Sequence, residues 1–157
     1  MTIRSIQEWH ELARPTPDQK QFDVQLGCHF EEVKEMLESL AITNNPAYKP
    51  SSDDANVPAS AVFSTALNSI GILAEALKAG IFTANIENRK ELADSIGDQV
   101  VTGVGVAHCA GINGTLVVER VNYSNWTKFV DGKPVFTAQG KIAKPDTYTP
   151  ADLTGTY

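Results

Sequence analysis

The stretch Asp18–Ile42, DQKQFDVQLGCHFEEVKEMLESLAI, decides the fold. Phe22, Leu26, Phe30, Val33, Met36, Leu37 and Leu40 recur every three or four residues, the spacing that puts apolar side chains on one stripe of an α-helix. Asp18, just after Pro15 and Pro17, is the expected N-cap, and the helix is expected to run to about Ile42. Upstream, Ile3, Ile6 and Trp9 predict a short helix ending at the proline pair. Downstream, Thr43–Pro58 is rich in Asn, Pro, Ser and Asp and reads as a long loop. Val62, Leu67, Ile70, Leu73, Ala74 and Leu77 predict a third helix stopping at Gly80.

Asn85 or Glu87 opens a fourth helix in this reading, with Leu92, Ile96, Val100, Val104 and Ala107 turned inward and an end near Gly111–Gly114. A shorter fifth helix follows from about Thr115 to Lys128. Beyond Phe129 the turn pairs Asp131-Gly132 and Gln139-Gly140 and a Pro-rich tail predict a small hairpin or an extended arm. The expected fold is therefore all-α, a bundle of four to five helices in one domain over residues 1–157, with 129–157 as an irregular C-terminal extension.

At 157 residues the chain suits one compact domain. Thirteen Lys and Arg against nineteen Asp and Glu give a net charge of −6, which argues against a nucleic-acid binder, since phosphate backbones select clustered cations. Cys28 and Cys109 form no CxxC pair, so neither a zinc cluster nor a disulfide framework is signalled. The charged N-terminus lacks a secretory signal pattern, and the default address is the cytoplasm, a host cytoplasm if the chain is phage-encoded. Gln99–Val118 carries no formal charge, yet its glycines, His108 and Asn113 make it a buried helix and its exit turn in this reading, not a membrane span.

Two helices carry acidic clusters. Glu31, Glu32 and Glu35 lie three and four residues apart on the second, and Glu91, Asp94 and Asp98 follow the same spacing on the fourth. A solvated outer face is the ordinary reading of such clusters. Their apolar neighbours Phe30, Val33, Leu92 and Ile96 favour the other one, in which the two faces converge and repulsion is relieved by divalent cations. Ligands that are all oxygen favour Mg²⁺ or Mn²⁺ over zinc.

The same residues resemble the all-α nucleoside triphosphate pyrophosphatases, the MazG-like and phosphoribosyl-ATP-pyrophosphatase-like group. Glu31, Glu32 and Glu35 match its EExxE motif, and Glu91 and Asp94 match its ExxD motif. Asp98, with Gly111 thirteen residues later, is the better counterpart of the family aspartate, where Ser95 stands in place of the expected Glu. The segment VNYSNWTK (121–128), DGKP (131–134), GK (140–141) and KPDTYTPADL (144–153) is similar to the VHxSNMSK, DGKP, GK and NYxPPDL string of phage and bacterial members. Asn122, Trp126, Thr127 and Thr147 depart from that string, and the resemblance covers roughly residues 22 to 153.

The resemblance implies Mg²⁺- or Mn²⁺-dependent hydrolysis of a (d)NTP to the monophosphate and pyrophosphate, with dGTP or GTP the preferred expectation. It implies metal ligation by Glu31, Glu32, Glu35, Asp94 and Asp98, with Glu31 and Glu35 as catalytic carboxylates and Glu31 as the proton acceptor. Asn125, Lys128, Lys141 and Lys144 would meet the substrate. His29 reads first as a core or capping histidine, with contact to substrate or to a carboxylate behind the metal as the alternative, His108 is given no role, and Trp9, Trp126 and Tyr148 read first as core or interface. A long apolar helix with Gly103 and Gly105 on a small bundle implies self-association, and the resemblance implies that the homo-oligomer is a dimer or tetramer. The alternatives are a phosphoribosyl-ATP pyrophosphatase and a non-enzymatic helical assembly module.

Overall fold

The computed structural model describes residues 3–44 and 58–157, so most of the expected Thr43–Pro58 loop lies outside the described residues. The protein is all-α, with five helices and one two-stranded hairpin among the described residues: α1 (Ile3–Ala13), α2 (Gln19–Glu38), α3 (Ala59–Lys78), α4 (Arg89–Cys109), α5 (Gly114–Trp126), β1 (Phe129–Val130) and β2 (Lys133–Pro134). The chain divides into two compact units. One is Asp18–Ala84; the other combines residues 1–17 with Asn85–Tyr157.

In the first unit α2 and α3 form a helical hairpin. Asp18 caps α2 in a reciprocal capping box: its carboxylate accepts from the Gln21 amide at 2.7 Å, and the Gln21 side chain accepts from the Asp18 amide at 3.0 Å. α2 ends at Glu38, about a turn before Ile42, because the Ser39 hydroxyl takes the Met36 carbonyl and ends the ladder. Val24, Gly27, Ala74 and Leu77 are buried between the two helices. Gly27 is needed there, because a Cβ on it would stand 2.7 Å from the Ala74 carbonyl oxygen and 3.2 Å from the Lys78 amide. α3 is long and apolar enough to cross a membrane by composition, and Ala74, Ala76 and Leu77 are its buried residues. It stops as expected at Gly80, which adopts φ +70° while the Ile81 amide reaches back to the Ala76 carbonyl at 2.8 Å, a Schellman closure.

The loop after α3 is then tied to α2 by one buried carboxylate. Asp23 accepts from the Thr83 hydroxyl, from the Ala84 amide at 2.9 Å and from the Gln19 side-chain amide at 2.9 Å. The Thr83 and Ala84 hydrogen bonds, which favour the ionised form, hold its pKa below the usual carboxylate value against the opposing effect of burial.

In the second unit α1, α5 and the arm share a small core of Trp9, Ala13 and Ile142, with Trp126 and Phe129 packed against it. α4 begins at Arg89, later than its expected start, because Asn88 is the residue whose side chain accepts from the Lys90 and Glu91 amides. Gly111 at φ +73° ends it, and the chain turns through 117° into α5, capped by Asn113. Asp131 and Gly132 both take positive φ, 50° and 73°, as the tight turn of the hairpin requires.

The VNYSNWTK segment anchors the arm. Buried Ser124 donates to the Thr149 carbonyl at 2.7 Å, the Thr149 amide donates to the Thr127 hydroxyl at 2.8 Å, and buried Asn122 reaches Ser5. Arg120 holds the carbonyls of Asp152 and Thr154 at 2.7 and 2.6 Å, and the Asn113 amide holds that of Thr156. The arm therefore lies on its own α1 and α5.

Candidate functional site

In the α2–α3 unit a groove of about 730 Å³ runs between the two helices. Leu67, Ile72, Ile81 and Phe82 contribute apolar wall, and Glu31, Glu35 and Glu38 line one side along α2. Positions 31, 35 and 38 share a face because they are four and three apart; Glu32, one residue on from Glu31, points about 100° away, is exposed and does not line the groove.

Glu75 and Lys78 of α3 join this cluster, and neither was singled out from sequence. The Lys78 ammonium lies 2.9 Å from Glu31 and 2.6 Å from Glu75, with only 13% of its side chain exposed. Burial opposes its charge, yet the hydrogen bonds and negative charges of Glu75 and Glu31 more than offset that and raise its pKa. The i,i+3 spacing of Glu75 and Lys78 is written in the sequence, whereas their meeting with Glu31 depends on the close approach at Gly27. Lys34 pairs with Glu38 along α2 and lays its stem over Gly71, 3.1 Å from where a Cβ would be.

The donor chemistry on α2 is oxygen only and suits Mg²⁺ or Mn²⁺. Lys78 already balances part of the charge, and among the described residues no group of three or more His, Cys, Asp or Glu side chains is spaced to hold a metal ion.

In the other unit Glu91, Asp94 and Asp98 are exposed along α4. Two of the four expected substrate residues come together: the ammonium groups of Lys128 and Lys144 stand 5.7 and 5.2 Å from the centre of the Tyr148 ring, and Lys128 also lies 6.0 Å from that of Trp9. Two cations on one aromatic ring make a positive patch with a π-face. Asn125 contributes its carbonyl to the Trp9 indole at 3.0 Å, and Lys141 lies exposed on the arm.

Trp9 and Trp126 pack in the core and Tyr148 takes its hydroxyl to Ser124, so all three are structural, with Tyr148 also available to the lysines. Neither Cys28 nor Cys109 forms a disulfide. Comparison with known protein families, with curated proteins and with solved structures finds no match to this chain.

Proposed function

We propose that this protein is a Mg²⁺- or Mn²⁺-dependent nucleoside triphosphate pyrophosphohydrolase that cleaves between the α and β phosphates of a (d)NTP, guanine nucleotides first. The observation that carries the reading is the groove wall of α2, where Glu31 and Glu35, one turn apart and flanked by Glu75, face a cavity within the roughly 300–1,000 Å³ range of small-molecule sites. The EExxE, ExxD and SNWTK-DGKP resemblance supplies the reaction.

Under this reading Glu31 and Glu35 are the metal ligands facing the groove on α2, and the resemblance assigns Glu32 of α2 and Asp94 and Asp98 of α4 to the same task. A divalent ion held by these carboxylates would offset the charge of the phosphates and make a bound water more acidic. Glu31 would be the carboxylate that accepts the proton of the attacking water. Lysine is a point charge suited to phosphate oxygens, which is the role given to Lys128, Lys141 and Lys144, with Asn125 beside them. The Tyr148 ring between Lys128 and Lys144 offers a face for stacking.

Ligand binding to the folded state alone stabilises it by about 2.7 kcal/mol at a hundredfold excess over Kd. Millimolar Mg²⁺ or Mn²⁺ is therefore expected to raise the unfolding midpoint by several degrees, and Glu31→Gln/Glu35→Gln to remove most of that rise. Differential scanning fluorimetry checks this; a midpoint indifferent to either ion favours the assembly-module reading, for which the acidic faces are only solvated.

A further inference from the structure

Three hydrogen bonds clamp residues 83 and 84 to the first turns of α2: the Thr83 hydroxyl donates to Asp23, the Ala84 amide donates to Asp23 at 2.9 Å, and the Gln19 side-chain amide donates to the Ala84 carbonyl at 2.8 Å. Asp23 is buried, and Gln19 also donates to it at 2.9 Å. At the other end of the same loop the Ile81 and Phe82 amides both donate to the Ala76 carbonyl, at 2.8 and 3.1 Å. The backbone of Ile81 and Phe82 is therefore held from both sides, yet their side chains are 73% and 50% exposed. Both line the groove of the α2–α3 unit, Phe82 as its one aromatic residue among the described residues, whereas Asp23, Thr83 and Ala84 do not line it.

We propose that Phe82 is the surface on which the base of a bound nucleotide stacks, and that Asp23, acting through Thr83 and Ala84, is the positioning residue that holds this surface in the groove. The inference rests on the nucleotide reading of the groove. A neutral, planar base is the part of a nucleotide that the acidic wall of Glu31 and Glu35 cannot hold and an aromatic face can. Asn68, which also lines the groove, carries both a donor and an acceptor for the edge of a base. The Tyr148 ring of the other unit already carries two ammonium groups, whereas Phe82 shares the groove with the carboxylates. A loop ordered before the ligand arrives spares the binding step that ordering.

The two roles are separable along α2. Asp23 precedes Glu31 by eight residues, about 12 Å of helix at 1.5 Å per residue, so a change at Asp23 reaches the groove through the 81–84 loop and not through the carboxylates.

Steady-state pyrophosphate release tests the inference. Phe82→Ala is expected to raise KM for dGTP about tenfold, as the loss of one base–aromatic stack does, with little change in kcat because Glu31 and Glu35 stay in place. Thr83→Val, which removes only the hydroxyl donor, is expected to raise KM about fivefold on its own and to add nothing to Phe82→Ala, since it acts through Phe82. Asp23→Asn, which keeps an acceptor oxygen, should fall between Asp23→Ala and wild type. An unchanged KM in Phe82→Ala or Thr83→Val, or additive effects in the double variant, overturns the inference and leaves the reaction standing. If the wild-type protein releases no pyrophosphate, the reaction fails, and a metal-free NMR titration decides the inference. dGMP should then shift the amides of residues 81–84 and Asn68, deoxyribose 5-phosphate should not, and Phe82→Ala should abolish the shifts. No shift with dGMP, or equal shifts with the base-free sugar phosphate, overturns it.

Discussion

Gly27→Ala is expected to lower the stability of the α2–α3 unit by about 2 kcal/mol, the opposite sign to a glycine-to-alanine change in an open helix. Helix propensity alone favours alanine by about 1 kcal/mol. At Gly27 the added methyl meets the Ala74 carbonyl oxygen at 2.7 Å and the Lys78 stem at 2.8 Å, and a backbone oxygen cannot swing aside. The helices must part, at the cost of about 1–3 kcal/mol or more typical of overpacked interiors. Lys78 then moves off Glu31, so the acidic wall loses its counter-ion in the same step. Gly71→Ala is the control: its methyl meets only the flexible Lys34 stem at 3.1 Å, and a change within about 1 kcal/mol of neutral is expected. Urea denaturation of the two variants checks the pair; equal midpoints would mean that the close approach at Gly27 contributes nothing.

Asp23→Ala is the second large effect. Three donors converge on this buried carboxylate, and truncation leaves the Thr83 hydroxyl, the Ala84 amide and the Gln19 amide to find water or remain unpaired, at about 1–3 kcal/mol for a buried group so stranded. The loss should concentrate in the 79–84 loop, whose amides would exchange faster. The pH dependence follows from the depressed folded pKa. Above the unfolded value near 4 the carboxylate is ionised in both states and its contribution is complete; as pH falls through the lower folded value the contribution is lost. Wild-type stability is therefore expected to fall between about pH 5 and pH 3 more steeply than that of Asp23→Asn, measured by thermal melts across that range. Parallel curves for the two proteins would contradict the role given to Asp23.

Much of the fold was legible because its signals are local. The Asp18 cap, the Gly80 and Gly111 stops and the Asp131-Gly132 turn each rest on a backbone conformation that one or two residues dictate. The start of α4 was misplaced by a few residues because Asn85, Glu87 and Asn88 are all capable N-terminal residues, and only the side-chain geometry selects Asn88. The covered α4 expected from its apolar pattern is exposed in the single chain, since a pattern records that a face prefers burial and not which surface buries it.

The candidate site was legible in part for the same reason. Glu31 and Glu35 face the groove as i,i+4 spacing requires, while Glu32 lies off it. Lys78 and Glu75 went unnoticed, because their meeting with Glu31 is set by how closely two helices approach and not by any local motif. The VNYSNWTK string is in large part structural: Ser124 and Thr127 hold the tail, Asn122 reaches Ser5 of α1, and Lys128 and Lys144 meet at Tyr148.

The most direct test of the proposed reaction is pyrophosphate release from each of the eight common NTPs and dNTPs, with Mg²⁺ or Mn²⁺ and with neither. The account predicts metal-dependent release of one pyrophosphate per nucleotide, fastest with a guanine nucleotide, and a loss of at least a hundredfold in Glu35→Gln at unchanged helix content. No release from any of the eight, or release that Glu35→Gln leaves intact, would contradict it.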